Sequence, residues 1–217
     1  MKGYTHISII LDRTGSMESI KDDTIGGFNT FLKEQQKLPG KATMTLVQFD
    51  SQDPYEVIHS FKAVKEIPDL NASTYVPRAS TPLLDAIGRG INDLEKRLDD
   101  MKKKERPAKV VLVIITDGQE NASCEFNKAQ IEKMMKKKEN DDWQFVFLSA
   151  DLGSIGDATV YGFKADRVMS FDKNKKGSKH VWASVSMRLS EYRAGESESL
   201  MFSPADRDAQ ESEKKRK

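Results

Sequence analysis

Ile7-Ser8-Ile9-Ile10-Leu11-Asp12-Arg13-Thr14-Gly15-Ser16-Met17 is the stretch from which the rest of the chain can be read. An apolar run of strand length ends on an acid, and hydroxyls follow at alternate positions. Such a run is expected of a strand in a parallel sheet, where helices cover both faces and leave no polar side. Beyond its carboxyl end the backbone must turn, and Gly15 can take the dihedrals that a tight turn demands. Asp12, Thr14 and Ser16 can then point their oxygens at one spot. Carboxylate and hydroxyl oxygens, with no thiol or imidazole, suit a hard divalent cation such as Mg²⁺. The same residues also suit a plainer role, an N-cap and turn for the helix that follows.

Two distant stretches bear on that choice. Ser80-Thr81-Pro82 opens a second helix, with Pro82 at its first position and Thr81 as its cap. Ile114-Ile115-Thr116-Asp117-Gly118 closes a second apolar strand. Together the three pieces resemble the von Willebrand factor type A domain and its metal-ion-dependent adhesion site. That family's pattern is Asp-x-Ser-x-Ser, a distant loop Thr, and an Asp-Gly after the fourth strand. Residue by residue the match runs through Asp12, Thr14, Ser16, Thr81 and Asp117. Thr14 stands where the family more often has Ser, which preserves the hydroxyl. Ala79-Ser80 precedes Thr81 where a Gly is common, which bears on the shape of that loop.

The resemblance implies a Rossmann-like, doubly wound α/β fold: a mostly parallel central sheet with one antiparallel edge strand and helices on both faces. It implies Mg²⁺ (or Mn²⁺) held by the five residues. It also implies a coordination position filled by a Glu or Asp of a partner protein. Residues 1–194 are expected to form this domain.

Composition sets outer bounds. At 217 residues the chain is long enough for one domain with a substantial core. Hydrophobic residues are 37% and charged residues 32%, which describes a soluble chain with a highly charged surface. A formal net charge of +1 gives no global case for nucleic acid or an anionic membrane as partner. Apolar runs such as Val110 to Ile115 are too short to span a bilayer. Met1-Lys2-Gly3-Tyr4-Thr5-His6 lacks the apolar core of a signal peptide. The single cysteine, Cys124, rules out an internal disulfide and a cysteine-based zinc cage. These features favour a cytoplasmic location and, within the resembled family, an intracellular member of bacterial or phage-like type.

In chain order, a helix is expected from about Met17 to Lys37, with Thr24, Phe28, Phe31 and Leu32 forming its buried stripe. Gly26-Gly27 inside it weakens helix propensity by about 1 kcal/mol per glycine, so a close helix–sheet contact or a kink is expected there. Thr43–Phe49 and Tyr55–Phe61 read as strands joined by the turn residues Ser51-Gln52-Asp53-Pro54, hence as an antiparallel pair. Lys65 to Ser80 reads as loop. Leu84, Ile87, Ile91, Leu94, Leu98 and Met101 mark a helix packing on the sheet. Lys109 to Thr116 is the central strand. Asn127 to Lys138 is a lysine-rich helix, Trp143 to Ser149 a buried strand, Arg167 to Phe171 a short edge strand, and Lys179 to Tyr192 the last helix. Asp151 ends its strand on the same sheet edge as Asp12, either supporting the site or capping the next turn. Asn121 caps or orients its loop, and Glu120 reads as an exposed acid. From Gly195 the chain turns polar and charged and reads as a disordered tail, apart from Leu200-Met201-Phe202, which could dock.

Function follows from the site. The expected activity is metal-dependent protein binding, without catalysis. An adaptor for an ATPase, of the chelatase-like or stress-response kind, is the alternative use of the same domain. A Mg²⁺-dependent phosphohydrolase using Asp12 is the enzymatic rival. It lacks its second acid, because Thr14 stands where haloacid-dehalogenase-type phosphatases have Asp. No Gly-x-x-x-x-Gly-Lys loop is present, and His6, His59 and His180 pair with no obvious nucleophile.

Overall fold

The computed structural model describes residues 3–207. Six strands form one sheet: β1 (Thr5–Asp12), β2 (Ala42–Phe49), β3 (Glu56–Ala63), β4 (Lys109–Thr116), β5 (Gln144–Ser149) and β6 (Val168–Ser170). Their spatial order is β3-β2-β1-β4-β5-β6. All neighbours are parallel except β2 and β3, whose short connection forces the antiparallel edge pair. Five helices complete the fold: α1 (Lys21–Lys37), α2 (Leu83–Asp100), α3 (Lys128–Glu139), α4 (Leu152–Val160) and α5 (Lys175–Ala194). This is the doubly wound α/β architecture that the resemblance implied.

The pleat sorts the core into two layers. In β1, Ile7, Ile9 and Leu11 join Val111, Val113 and Ile115 of β4 beneath α1 and α5. Ile10 joins Leu112 and Ile114 beneath α2 and α3 on the other face. Successive side chains point to opposite faces, so a fully apolar run was needed to fill both layers. Each such side chain, taken from water, contributes about 1.5–3 kcal/mol. On the second face, Ile87, Ile91 and Leu94 of α2 share one core layer with the sheet and with Ile131 and Met135 of α3.

Strand order reverses between β1 and β4: β2 and β3 lie to one side of the pair, β5 and β6 to the other. Such a switch point opens a crevice at the carboxyl ends of the strands. Asp12 and Asp117 stand at its two sides.

Several boundaries differ from expectation. The first helix begins with a 3₁₀ turn, Gly15–Ile20, before α1. Gly27 serves a helix–helix rather than a helix–sheet contact, since a Cβ there would lie 2.0 Å from Trp182 Cδ1 on α5. Gly26 has nothing within 4 Å of the same position. The last helix starts earlier than its apolar stripe, because Asn174 caps it by accepting from the Lys176 and Gly177 N–H groups at 3.1 and 2.9 Å.

The charged tail also differs. Gly195 closes α5 in the left-handed region (φ 81°). The chain then packs down: Leu200 and Phe202 are buried, and the Phe202 N–H donates to the Asp166 carbonyl at 2.8 Å. Arg188 on α5 donates through Nε to Asp206 at 2.9 Å. Residues 200–207 thus pack against the domain through two apolar anchors and a part-buried ion pair, despite a polar composition. The basic run Lys214–Lys217 lies outside the described residues. Among the described residues no helix is long and apolar enough to cross a membrane.

Candidate metal centre

The register of β1 with β4, Leu11 opposite Ile115, leaves Asp12 beside Thr116 on the same face of the sheet. Thr116 Oγ1 donates to Asp12 Oδ2 at 2.5 Å, and the Thr14 N–H donates to Oδ1 at 2.6 Å. Asp12 is fully buried. Burial, joined by the nearby Asp117 charge, pushes its carboxyl up to about 7, although the hydrogen bonds from Thr116 and Thr14 pull the other way. Two buried acids facing each other call for positive charge between them.

The loop carrying Thr81 is tied along the Asp12 loop. Tyr75 donates its hydroxyl to the Asp12 carbonyl at 2.5 Å, the Arg78 N–H donates to the Arg13 carbonyl at 2.8 Å, and the Gly15 N–H donates to the Ala79 carbonyl at 3.0 Å. Ala79 adopts φ 60°, the left-handed region that favours glycine. This is the place where the resembled family commonly has Gly, so the loop keeps its shape at some strain.

Thr81 does not cap α2, whose N-cap is Pro82 with no side-chain capping bond. Capping comes from across the site. Glu120 Oε2 accepts from the Leu84 N–H at 2.9 Å, and Ser123 Oγ accepts from the Asp85 N–H at 3.1 Å. Glu120 is thus a working helix cap rather than an exposed acid. Asn121 grips Thr81 on both sides, its Oδ1 accepting from the Thr81 N–H at 2.8 Å and its own N–H donating to the Thr81 carbonyl at 3.1 Å. The Thr81 hydroxyl is left to face the crevice.

Asp117 completes the set. Ser16 Oγ donates to Asp117 Oδ1 at 2.5 Å, and Thr14 Oγ1 lies 3.2 Å from Ser16 Oγ. A Cβ on Gly118 would stand 3.2 Å from Ser16 Oγ and 3.4 Å from Thr81 Oγ1, so glycine leaves room for both hydroxyls. The structure therefore brings Asp12, Thr14, Ser16, Thr81 and Asp117 to one place. Asp117 Oδ2 is buried and accepts no hydrogen bond, though Lys173 Nζ lies 3.0 Å away. Asp151 joins the Asp117 loop through Gln119, whose Nε2 donates to it at 3.1 Å.

Sequence reading missed the frame around this set. Arg13 is buried and donates through Nε to Asp50 at 2.6 Å, with a further ion pair to Glu56. Arg78 reaches the same Asp50 oxygen at 2.9 Å. Asp85, also buried, accepts from the Cys124, Glu125 and Phe126 N–H groups, each at 2.9 Å. Burial opposes its charge, but these bonds prevail and hold the carboxyl below its usual range. The signal for Arg13 was a charge set directly after an apolar strand; Lys173 and Asp85 gave no local signal.

The donor set fits a hard cation. Two carboxylates and three hydroxyls approach the six oxygens that Mg²⁺ or Mn²⁺ prefers. No group of three or more His, Cys, Asp or Glu that could hold a metal occurs among the described residues, so the hydroxyls are indispensable to any such site here.

No protein-family model matches the sequence, and no curated protein matches it. Solved structures do resemble the fold, which is that of von Willebrand factor type A domains. A von Willebrand factor type A protein from Catenulispora acidiphila is 13% identical, with a TM-score of 0.56 over 85% of this chain and 42% of that one. Proximal thread matrix protein 1 of the mussel byssus, with zinc in its metal-ion-dependent adhesion motif, is 14% identical with a TM-score of 0.58, over 87% and 46% of the two chains. Manganese-loaded TRAP protein of Plasmodium vivax is 14% identical with a TM-score of 0.56, over 80% and 70%. The chain thus spans less than half of the first two proteins.

Proposed function

We propose that this chain is a metal-dependent protein-binding module and not an enzyme. The observation that carries the reading is the convergence of two buried carboxylates and three hydroxyls at the sheet's switch point, where Asp117 Oδ2 accepts no hydrogen bond among the described residues and meets only the charge of Lys173. Thr14, Ser16 and Thr81 would supply neutral oxygens to Mg²⁺ or Mn²⁺, and Asp12 and Asp117 the charge, directly or through water. The bound ion would offer Lewis acidity at one open position. Because two carboxylates barely neutralise it, an acidic side chain of a partner protein is the natural ligand there. The manganese and zinc sites in proteins of this fold support a divalent ion without selecting Mg²⁺.

Both oxygens of Asp12 already accept hydrogen bonds within a fully buried carboxylate. That arrangement suits a fixed support better than a nucleophile awaiting a phosphoryl group. The single cysteine suits a cytoplasmic setting for the binding.

Thermal melting of metal-stripped protein tests the site. A ligand bound to the native state alone stabilises it by about 2.7 kcal/mol at one hundred times its dissociation constant. Mg²⁺ or Mn²⁺ should raise the Tm of the wild type and not of Asp12→Ala or Asp117→Ala; equal shifts in all three would refute the assignment. Phosphatase turnover that disappears in Asp12→Ala would replace the binding module with an enzyme.

A further inference from the structure

Lys173 belongs to no part of the donor set, yet it reaches into it. It lies in the turn between β6 and α5, and its ammonium stands 3.0 Å from Asp117 Oδ2. That oxygen accepts no hydrogen bond, so the contact is one of charge, close but not in line for a directed bond. This is the kind of contact a metal ion makes with a carboxylate. The Arg13 guanidinium, next to Asp12 in sequence, is committed to Asp50 and Glu56.

The turn that carries Lys173 is well anchored. The Phe171 N–H donates to the Ser149 carbonyl at 3.0 Å, and the Asn174 N–H to the Asp172 carbonyl at 2.7 Å. Asn174 caps α5 immediately afterward. A Cβ on Gly177 would lie 2.4 Å from the Asp172 carbonyl oxygen, so the turn folds tightly onto the helix. The Lys173 side chain itself is 42% exposed against 0% for Asp117. An anchored turn thus holds a part-exposed ammonium against a buried acid.

We propose that Lys173 is a tethered cation that takes the charge position of the divalent ion at Asp117 and competes with it. Metal entry then favours the ammonium swinging into solvent, because the ion and the ammonium repel each other across the shared carboxylate. The lysine offsets one of the two acids of the metal-free site and raises the ion concentration at which the site loads. This rests on the metal-site reading above, and the following experiment separates the two.

Titration calorimetry with MnCl₂ on metal-stripped full-length protein compares wild type, Lys173→Met, Lys173→Gln, Asp117→Ala and Lys175→Met, the last a control for loss of a nearby surface charge. The two Lys173 variants should bind Mn²⁺ at least tenfold more tightly than wild type, and Lys175→Met within threefold of it. Mn²⁺ binding by the Lys173 variants alone, with none by wild type, is the extreme form of the same result. Equal affinity in wild type and the Lys173 variants, abolished by Asp117→Ala, would overturn the competition while leaving the metal site standing. Equal tightening by Lys175→Met would reduce the effect to bulk charge and overturn it as well. Absence of Mn²⁺ binding in every folded variant would overturn both. Mass spectrometry after brief treatment with an amine-reactive ester gives a second readout. Lys173 should be labelled several-fold faster with Mn²⁺ than without, and an unchanged rate would count against displacement.

Discussion

Two ion pairs flank the same crevice, and they are built differently. Arg13 and Asp50 are both buried, and the pair is extended by Glu56 and Arg78 into a network that joins the Asp12 loop, the ends of β2 and β3, and the Thr81 loop. Lys173 and Asp117 make one contact, half open to water. The guanidinium has five donors in a rigid fork and stays charged, whereas the ammonium is a point charge on a flexible stem. The first pair is suited to fix a shape and the second to come apart. Burial and connectivity, more than distance, separate the two roles.

The largest expected effect comes from breaking the fixed pair. Arg13→Ala leaves Asp50 buried without its main partner and should cost about 3–5 kcal/mol in urea unfolding, with no rescue by Mn²⁺. A loss under about 1 kcal/mol would erase the contrast.

Acid titration sharpens the comparison by fixing its pH window. His6 is buried and unpaired at Nε2, and desolvation, helped by Arg97, holds its imidazole down to about 3. Its folded value lies below the unfolded 6.5, so its share of stability is complete above pH 6.5 and is lost as pH falls toward 3. Wild type should lose about 2 kcal/mol from this residue between pH 6.5 and 4.5, and His6→Gln should flatten that slope. Asp50 is also held below its usual value: burial opposes its charge, but the bonds from Arg13, Asp53, Arg78 and Gln52 prevail. Its share therefore persists above about pH 3.8 and falls away only below it. The fixed pair should outlast His6 during acidification, and comparison of Asp50→Asn with wild type at each pH isolates it.

Arg188–Asp206, with side chains 19% and 3% exposed, is an intermediate case. Arg188→Ala should cost about 1.5–2 kcal/mol, at the low end of the range for a hydrogen bond to a charged group, and should speed proteolytic cleavage within residues 196–207. At the bottom stands Lys37–Glu34, with both partners mostly exposed. Lys37→Ala should shift stability by less than about 0.5 kcal/mol. A measured order that departs from this sequence would show that burial does not govern these pairs.

The sheet was legible because β1 and β4 must satisfy two apolar layers at once, and that demand leaves a plain trace in Ile7–Leu11 and Val110–Ile115. Asp12, Thr14, Ser16 and Asp117 stood out because they follow those strands at fixed spacing, and their oxygens lie close together in the structure. Thr81 was half legible: its loop was found, but its capping role passed to Glu120 and Ser123, which approach from another strand's end. Lys173 lies among Lys175, Lys176 and Lys179, and nothing local distinguishes a lysine that meets a buried acid from one that meets water. The tail misled for a related reason. Its charges suggested solvent, while Leu200 and Phe202 needed only a matching recess on the domain.

The adjacency of β1 and β4 has a mechanical consequence. They run parallel and are paired from Thr5 with Lys109 to Leu11 with Ile115, and both terminate at the crevice. A partner that pulled on the site would load these strands along their own axes, the two central strands of the sheet. The hydrogen bonds between them and their outer neighbours would then be strained together in shear, rather than peeled apart one at a time. Tension at the site is delivered to the part of the molecule best arranged to withstand it.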